Sequence, residues 1–401
     1  MAAKLQKLRG TAQLAFSAAS GLSNSVEKMH ETIARRPLPW SLPPDKPTRA
    51  HGLVASSVYS LVHNAIDACA KGVDLAFHVL PGHQTVQPGT DRETRMSAAL
   101  NGVCGDHLES TNNPLSIPMR LFQDGLPVKT SSSGLAAAYP DASRHVTVLV
   151  HGLCVSELCW SRENKPDIGS QLHEQLGMTP VYLRYNTGRH ISTNGREFST
   201  LLQELCTHWP VPVESLSLIG HSMGGLVIRS ACWYANEENR SWIRFMRRVI
   251  SLGTPHHGSP VEKVGHLFDL AMRGIQYVEP LAFGRKRSAG IKDLRYGNLL
   301  DQDWLDQEED ESLLDRRSAA PLLTGVDYYF AAASLGRHVR DPKGMLLGDL
   351  LVSTKSATGN HDDERMRLEI SPENCRVFHE QSHLGLLSDA EVHAQIIEWC
   401  S

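Results

Sequence analysis

A serine attacks a carbonyl only if its hydroxyl is lifted clear of the backbone and met by a base, and Ser222 has the local sequence for the first condition. It lies in Gly220-His221-Ser222-Met223-Gly224, after the apolar run Leu216-Ser217-Leu218-Ile219 and before the helix-forming stretch Gly225 to Tyr234. The glycines let a strand turn sharply into a helix without side-chain clashes, which leaves the serine hydroxyl above the sheet at the helix amino terminus. Such a serine needs a histidine to take its proton and an acid to orient that histidine, and on this kind of turn the chain order is serine, acid, histidine. His383, in Gln381-Ser382-His383-Leu384-Gly385, follows the last apolar strand and precedes an amphipathic terminal helix entered at Ser388-Asp389, so it is the expected base. His361 in a polar loop, His379 within a strand and His393 on the helix are the rivals. Asp349, in Gly348-Asp349-Leu350-Leu351-Val352, is the expected acid, with Asp341, Asp362 and Asp363 as alternatives.

Negative charge that develops on the attacked oxygen needs amide donors. The strand His145 to Val150 runs into His151-Gly152-Leu153, where Gly152 permits close backbone approach, so the N–H groups of Leu153 and Met223 are expected to form the oxyanion hole. His151 precedes the nucleophile and reads as a structural histidine rather than the base. His151, Gly152, His221, Thr254 and His256 flank these groups and are expected to line the substrate pocket. His256 and His257 do not read as metal ligands: adjacent side chains point in different directions and no carboxylate-rich loop accompanies them. No metal or cofactor is expected.

The elements that must position these groups are short apolar strands at Met119 to Gln123, Val146 to Val150, Val181 to Tyr185, Leu216 to Ile219, Val249 to Leu252, Tyr328 to Ala333 and Arg376 to His379, interleaved with helices. That alternation implies a mostly parallel sheet with its site at the carboxyl ends of the strands. Ahead of it, Leu5 to Ile33 repeats apolar and alanine positions at helical spacing, which gives an amphipathic helix over residues 1–36. Pro37, Pro39, Pro43, Pro44 and Pro47 make 37–50 a linker, and 51–117 is a helical region with helices near Leu53 to Val79 and Asp91 to Leu108. The catalytic domain is expected over 118–401. Residues 260–321 are longer than a simple connection requires, and Val264, Leu267, Phe268, Ala271, Ile275 and Val278 recur at helical spacing, so this insertion is expected to cover the site as a helical lid, with a helical excursion packed immobile on the domain as the equal alternative.

These motifs together resemble the lipase-like α/β-hydrolases grouped with GPI inositol-deacylases and bacterial triacylglycerol lipases. The likeness rests on Val150-His151-Gly152-Leu153, Leu183 to Gly188, Gly220 to Gly225, Leu252-Gly253-Thr254-Pro255-His256-His257-Gly258-Ser259, Gly348-Asp349 and His383-Leu384-Gly385-Leu386. It implies an α/β-hydrolase fold, triad roles for Ser222, Asp349 and His383, and an oxyanion hole at Leu153 and Met223. The sequence departs from the family where Leu350 follows Asp349, since the acid loop of these proteins commonly reads Gly-Asp-Gly. Residues 1 to 110 have no counterpart in the lipase core.

The chain of 401 residues, 41% hydrophobic and 21% charged, has the composition of a globular protein. A net charge of -4 supplies no field that would draw it to nucleic acid. No apolar run reaches the length of a membrane helix. Lys4, Lys7 and Arg9 faintly imitate the start of a signal peptide, but polar residues interrupt the stretch behind them. The eight cysteines lack paired spacing, so a reduced, cytoplasmic protein is expected, with peripheral lipid contact by the first helix left open. The reading is a serine hydrolase of small-molecule or lipid carboxylic esters. An acyltransferase using the same serine, and a non-catalytic binding protein on a hydrolase core, are the alternatives.

Overall fold

In a computed structural model, which describes residues 6–17, 20, 90–161, 167–259, 287–305, 317–338, 341 and 348–401, the apolar runs assemble into one sheet. Its strands are β1 (Arg120–Gln123), β2 (Leu126–Val128), β3 (His145–Val150), β4 (Thr179–Arg184), β5 (Ser215–His221), β6 (Met246–Leu252), β7 (Asp327–Ser334) and β8 (Cys375–His379). They lie in the order β2-β1-β4-β3-β5-β6-β7-β8. The six strands from β3 to β8 are mutually parallel, and β1 runs antiparallel to β4. β1 and β2 form a hairpin closed by Asp124 and Gly125, with φ of 50° and 73°. Positive φ at both central residues suits the twist of a two-residue hairpin, and Asp-Gly is among the pairs that tolerate it best.

Strands buried on both faces read as continuous apolar runs, because successive side chains point to opposite sides. Val148, Leu218, Val249 and Phe330 enter one core with Phe198, Leu202 and Leu205 of helix α4 (Ile191–His208) and Val227, Ile228 and Ala231 of α5 (Met223–Glu237). Their neighbours Leu149, Ile219, Ile250 and Ala331 enter a second core with Ile168 and Leu172 of α3 (Ile168–Leu176) and Val392 and Ile396 of α8 (Ala390–Cys400). The result is a three-layer α/β/α arrangement, the α/β-hydrolase fold. Helix ends follow local chemistry: the Asp167 carboxylate accepts from Gly169 N at the start of α3, Gly177 closes it at φ 63°, and Asp389 caps α8 through Glu391 N and Val392 N.

The chain forms two compact units. One comprises residues 1–87, 107–116 and 275–286, and the other 88–106, 117–274 and 287–401, which hold the sheet. In the first, the helix over 6–17 buries Leu14, and Asn113 Nδ2 donates to Gly10 O at 3.0 Å. Helix α1 (Asp91–Ser110) changes course at Cys104, whose φ is -139°. In the second unit, α6 (Ala289–Tyr296) is the described helix of the insertion, and it is anchored by Ser288 Oγ to Gly102 O at 2.7 Å and by Ala289 N to the Asp106 carboxylate at 3.0 Å. Most of the first helix expected from Leu5 to Ile33, the linker 37–50, the helix near 53–79 and the apolar stripe Val264 to Val278 lie outside the described residues.

Candidate active site

β5 leaves the sheet at Ser222, whose φ of 53° and ψ of -123° form a combination that L-residues rarely adopt. Pairing on both sides holds it there: Ser222 N donates to Leu252 O at 2.8 Å, and Gly225 N donates to Ser222 O at 3.1 Å. A Cβ at Gly224 would lie 2.2 Å from Val150 O, so the turn passes against the end of β3 only with glycine in that position. Ser222 stands at the N-cap of α5, a position where serine ordinarily accepts from an early amide, yet it makes no capping bond. Its hydroxyl is left for other chemistry, at a helix terminus that favours negative charge.

His383 and Asp349 meet as a buried pair, 2% and 1% exposed, with Nδ1 and Oδ2 2.7 Å apart. The other Asp349 oxygen accepts from Leu351 N at 2.9 Å and Val352 N at 2.7 Å, so the backbone of the acid loop clamps the carboxylate. Leu350 adopts φ 83° within that clamp and is 47% exposed, so the residue that departs from the family pattern turns its side chain outward while Asp349 turns inward. A carboxylate can only accept, so Nδ1 carries the proton and Nε2 presents a lone pair. Nε2 is buried and has no hydrogen-bond partner among the described residues. The His383 ring sits over Gly253, where a Cβ would be 3.1 Å from Nδ1 and Cε1, and the adjoining Leu252 O is the acceptor of Ser222 N. His221 Nε2 lies 3.2 Å from His383 O, which ties the residue before the serine to the backbone of the histidine.

The loop after β3 is fixed from β4. Tyr185 OH donates to His151 O at 2.8 Å and its ring stacks on the imidazole at 4.5 Å, while Cys154 N donates to Thr187 Oγ1 at 3.2 Å. His151 has both ring nitrogens occupied, Nδ1 against Gly152 O at 2.9 Å and Nε2 accepting from Tyr185 N at 3.4 Å. Burial pushes it down to about 3, so it is a neutral strut at neutral pH. Among the described residues, neither Leu153 N nor Met223 N has an acceptor. Gly152 lies against Ser222, since a Cβ there would be 3.0 Å from Ser222 Cβ.

The rival groups lie elsewhere or are otherwise engaged. His393 bonds Leu387 O at 3.1 Å and Gln171 Nε2 at 2.8 Å. Asp362 pairs with Lys355, and Asp363 pairs with Arg365, which pulls its carboxyl down to about 2. Asp341 accepts from Arg337 N at 2.9 Å. Thr254 is fully buried against Gly225, and His256 lies among Arg229 and Phe330 rather than beside His383. Among the described residues no group of three or more His, Cys, Asp or Glu side chains is arranged to hold a metal ion. The sequence reading passed over Tyr185 and Thr187 as anchors of the loop, although both stand in the quoted segment Leu183 to Gly188, and over Arg229, the one charge in the stretch 223–236 of helix α5.

A mostly parallel sheet of this order, with a strained serine between β5 and α5 and an Asp–His pair on the loops after β7 and β8, is the arrangement of the α/β-hydrolase fold. More particularly, residues 198–282 match the family model described as PGAP1-like alpha/beta domain, a span of about a fifth of the chain. No curated protein sequence matches. Among solved structures, the mature lipase BlEst2 of Bacillus licheniformis is 19% identical with a TM-score of 0.43, covering 71% of this chain and 98% of its own. The naproxen esterase of Bacillus subtilis is 12% identical with a TM-score of 0.36, covering 65% and 84%. YbtT, a type II thioesterase of the yersiniabactin pathway, is 14% identical with a TM-score of 0.37, covering 64% and 93%. No helix among the described residues is long and apolar enough to cross a membrane.

Proposed function

We propose that the protein hydrolyses carboxylic esters, of small molecules or lipids, with Ser222 as nucleophile, His383 as base and Asp349 as its orienting acid. The observation that carries this reading is the buried 2.7 Å pair of His383 Nδ1 and Asp349 Oδ2, which leaves a bare Nε2 lone pair near the serine elbow. His383 Nε2 takes the Ser222 proton as Oγ bonds to the ester carbon, and the resulting oxyanion is held by Leu153 N and Met223 N. When the tetrahedral intermediate collapses, the carbon–alkoxide bond breaks and Nε2 returns the proton to the leaving alcohol. Water repeats the sequence on the acyl-enzyme and releases the acid and free serine.

A fluorophosphonate probe is expected to label the folded chain at Ser222, located by peptide mass spectrometry, and to label heat-denatured chain not at all. Labelling at another residue, or none in folded protein that does not cleave p-nitrophenyl esters, would sink the reading. Adding alcohols of increasing concentration separates hydrolysis from acyl transfer, with free acid expected as the main product. Gly152→Ala is expected to lower kcat/KM on the order of 100-fold, because the added methyl pushes on Ser222 Cβ and small displacements at the reacting centre are costly. Steady-state kinetics beside a thermal melt would distinguish this from unfolding.

A further inference from the structure

Helix α1 precedes every strand of the sheet, yet it packs on the loop after β3. The contact is at Gly102, in the helix interior, where alanine is the better helix former. A Cβ there would overlap Cys154 Sγ and stand 3.0 Å from Cys154 Cα and 3.1 Å from its N, so a methyl group would press the helix and the loop apart. Two further elements hold the helix in this place. Asn186 Nδ2 donates to Gly105 O at 2.9 Å, from the segment after β4 whose Thr187 Oγ1 accepts from Cys154 N. Ser288 Oγ, at the start of α6, donates to Gly102 O at 2.7 Å. All of these residues belong to the unit that holds the sheet.

Cys154 follows Leu153, so whatever fixes one constrains the other. The peptide unit joining Gly152 to Leu153 is trans, so its C=O and N–H point in opposite directions, and fixing its plane aims the Leu153 N–H. His151 holds one end of this unit: a carbonyl can only accept, so the imidazole donates through Nδ1 to Gly152 O at 2.9 Å. The other end is held at Cys154, whose φ of 61° is one that a residue other than glycine seldom takes unless its surroundings impose it. Those surroundings are the Thr187 hydroxyl on its N–H and the backbone of α1 against its Cα.

On the reading that Leu153 N–H receives the oxyanion of ester hydrolysis, we propose that Gly102 is a positioning residue for that reaction. By admitting α1 against Cys154, it holds the Leu153 N–H at the angle the oxyanion needs. A helix that precedes the whole sheet thereby becomes part of the frame of the active site. A donor whose bond strengthens as charge develops acts on kcat rather than on KM.

Gly102→Ala is expected to lower kcat on p-nitrophenyl esters at least about tenfold, towards the ~100-fold that loss of one oxyanion donor costs, with KM within about twofold of the wild type. Helix propensity alone points the other way, since alanine favours a helix interior. Gly102→Ala combined with Cys154→Gly removes the overlapping Sγ and suits a φ of 61°, so this double variant is expected to recover most of the lost kcat. Arg95→Gly, at an exposed position of the same helix, is the control, expected to lower the melting temperature and leave kcat unchanged. If Gly102→Ala does not fold, Ser288→Ala deletes the bond to Gly102 O and is expected to lower kcat about threefold at constant KM. Wild-type kcat in whichever of these two variants folds, a loss carried wholly by KM, no recovery in the double variant, or an equal loss in Arg95→Gly would overturn the proposal while leaving ester hydrolysis in place. A wild-type chain that neither reacts with a fluorophosphonate nor cleaves esters would sink the hydrolase reading and the role of Gly102 with it.

Discussion

Ser222→Ala is expected to lower the rate of p-nitrophenyl ester hydrolysis by about 10⁴- to 10⁶-fold, the loss that follows when a covalent nucleophile is removed from a group of residues acting as a unit. The change deletes one oxygen and leaves the fold alone. The strained backbone at φ 53° is held by Leu252 O and Gly225 N, neither of which involves the hydroxyl, and no helix cap is lost because Ser222 makes none. Thermal melting should therefore stay within a few degrees of the wild type. Activity retained at the parent level in a variant of confirmed mass would remove Ser222 from the mechanism, whatever the geometry around it.

Asp349→Asn is expected to cost on the order of 10⁴-fold in kcat at neutral pH, with KM nearly unchanged. The amide oxygen can keep the bonds from Leu351 N and Val352 N, so the loop holds its shape. The amide nitrogen then faces His383 Nδ1 and donates to it, which moves the imidazole proton to Nε2 and removes the lone pair that would accept the serine proton. Kinetics and imidazole nitrogen spectra together check this, since the same substitution should reverse the tautomer of His383. A loss of less than about tenfold would return the acid role to one of the other carboxylates.

Much of this was legible in the sequence because parallel strands and nucleophile turns leave local marks. Val148-Leu149 and Leu218-Ile219 are apolar on both sides, as strands between two helical layers must be, and the glycines at 220 and 224 announce the turn. β2 was missed because Leu126-Pro127-Val128 is three residues long and contains a proline, and its evidence is the Asp124-Gly125 turn instead. The pairing of Asp349 with His383 could be guessed from chain order alone, but the backbone clamp on its second oxygen could not. That clamp depends on Leu350 taking a left-handed φ, which no local rule assigns to leucine. The setting of Arg229 was equally hidden, since its partners Ala320 and His256 come from separate loops that only the folded sheet brings near α5.

The topology also orders events in time. Central strands β3 and β5 precede the serine turn, whereas His383 follows its neighbour His221 by 162 residues and sits beyond edge strand β8. During synthesis, the elbow can form on a sheet whose last strand is still inside the ribosome, and until that strand docks on β7 no imidazole stands above Gly253. On the proposed mechanism a nascent chain is therefore inert toward esters until β8 and the loop that carries His383 have emerged and docked.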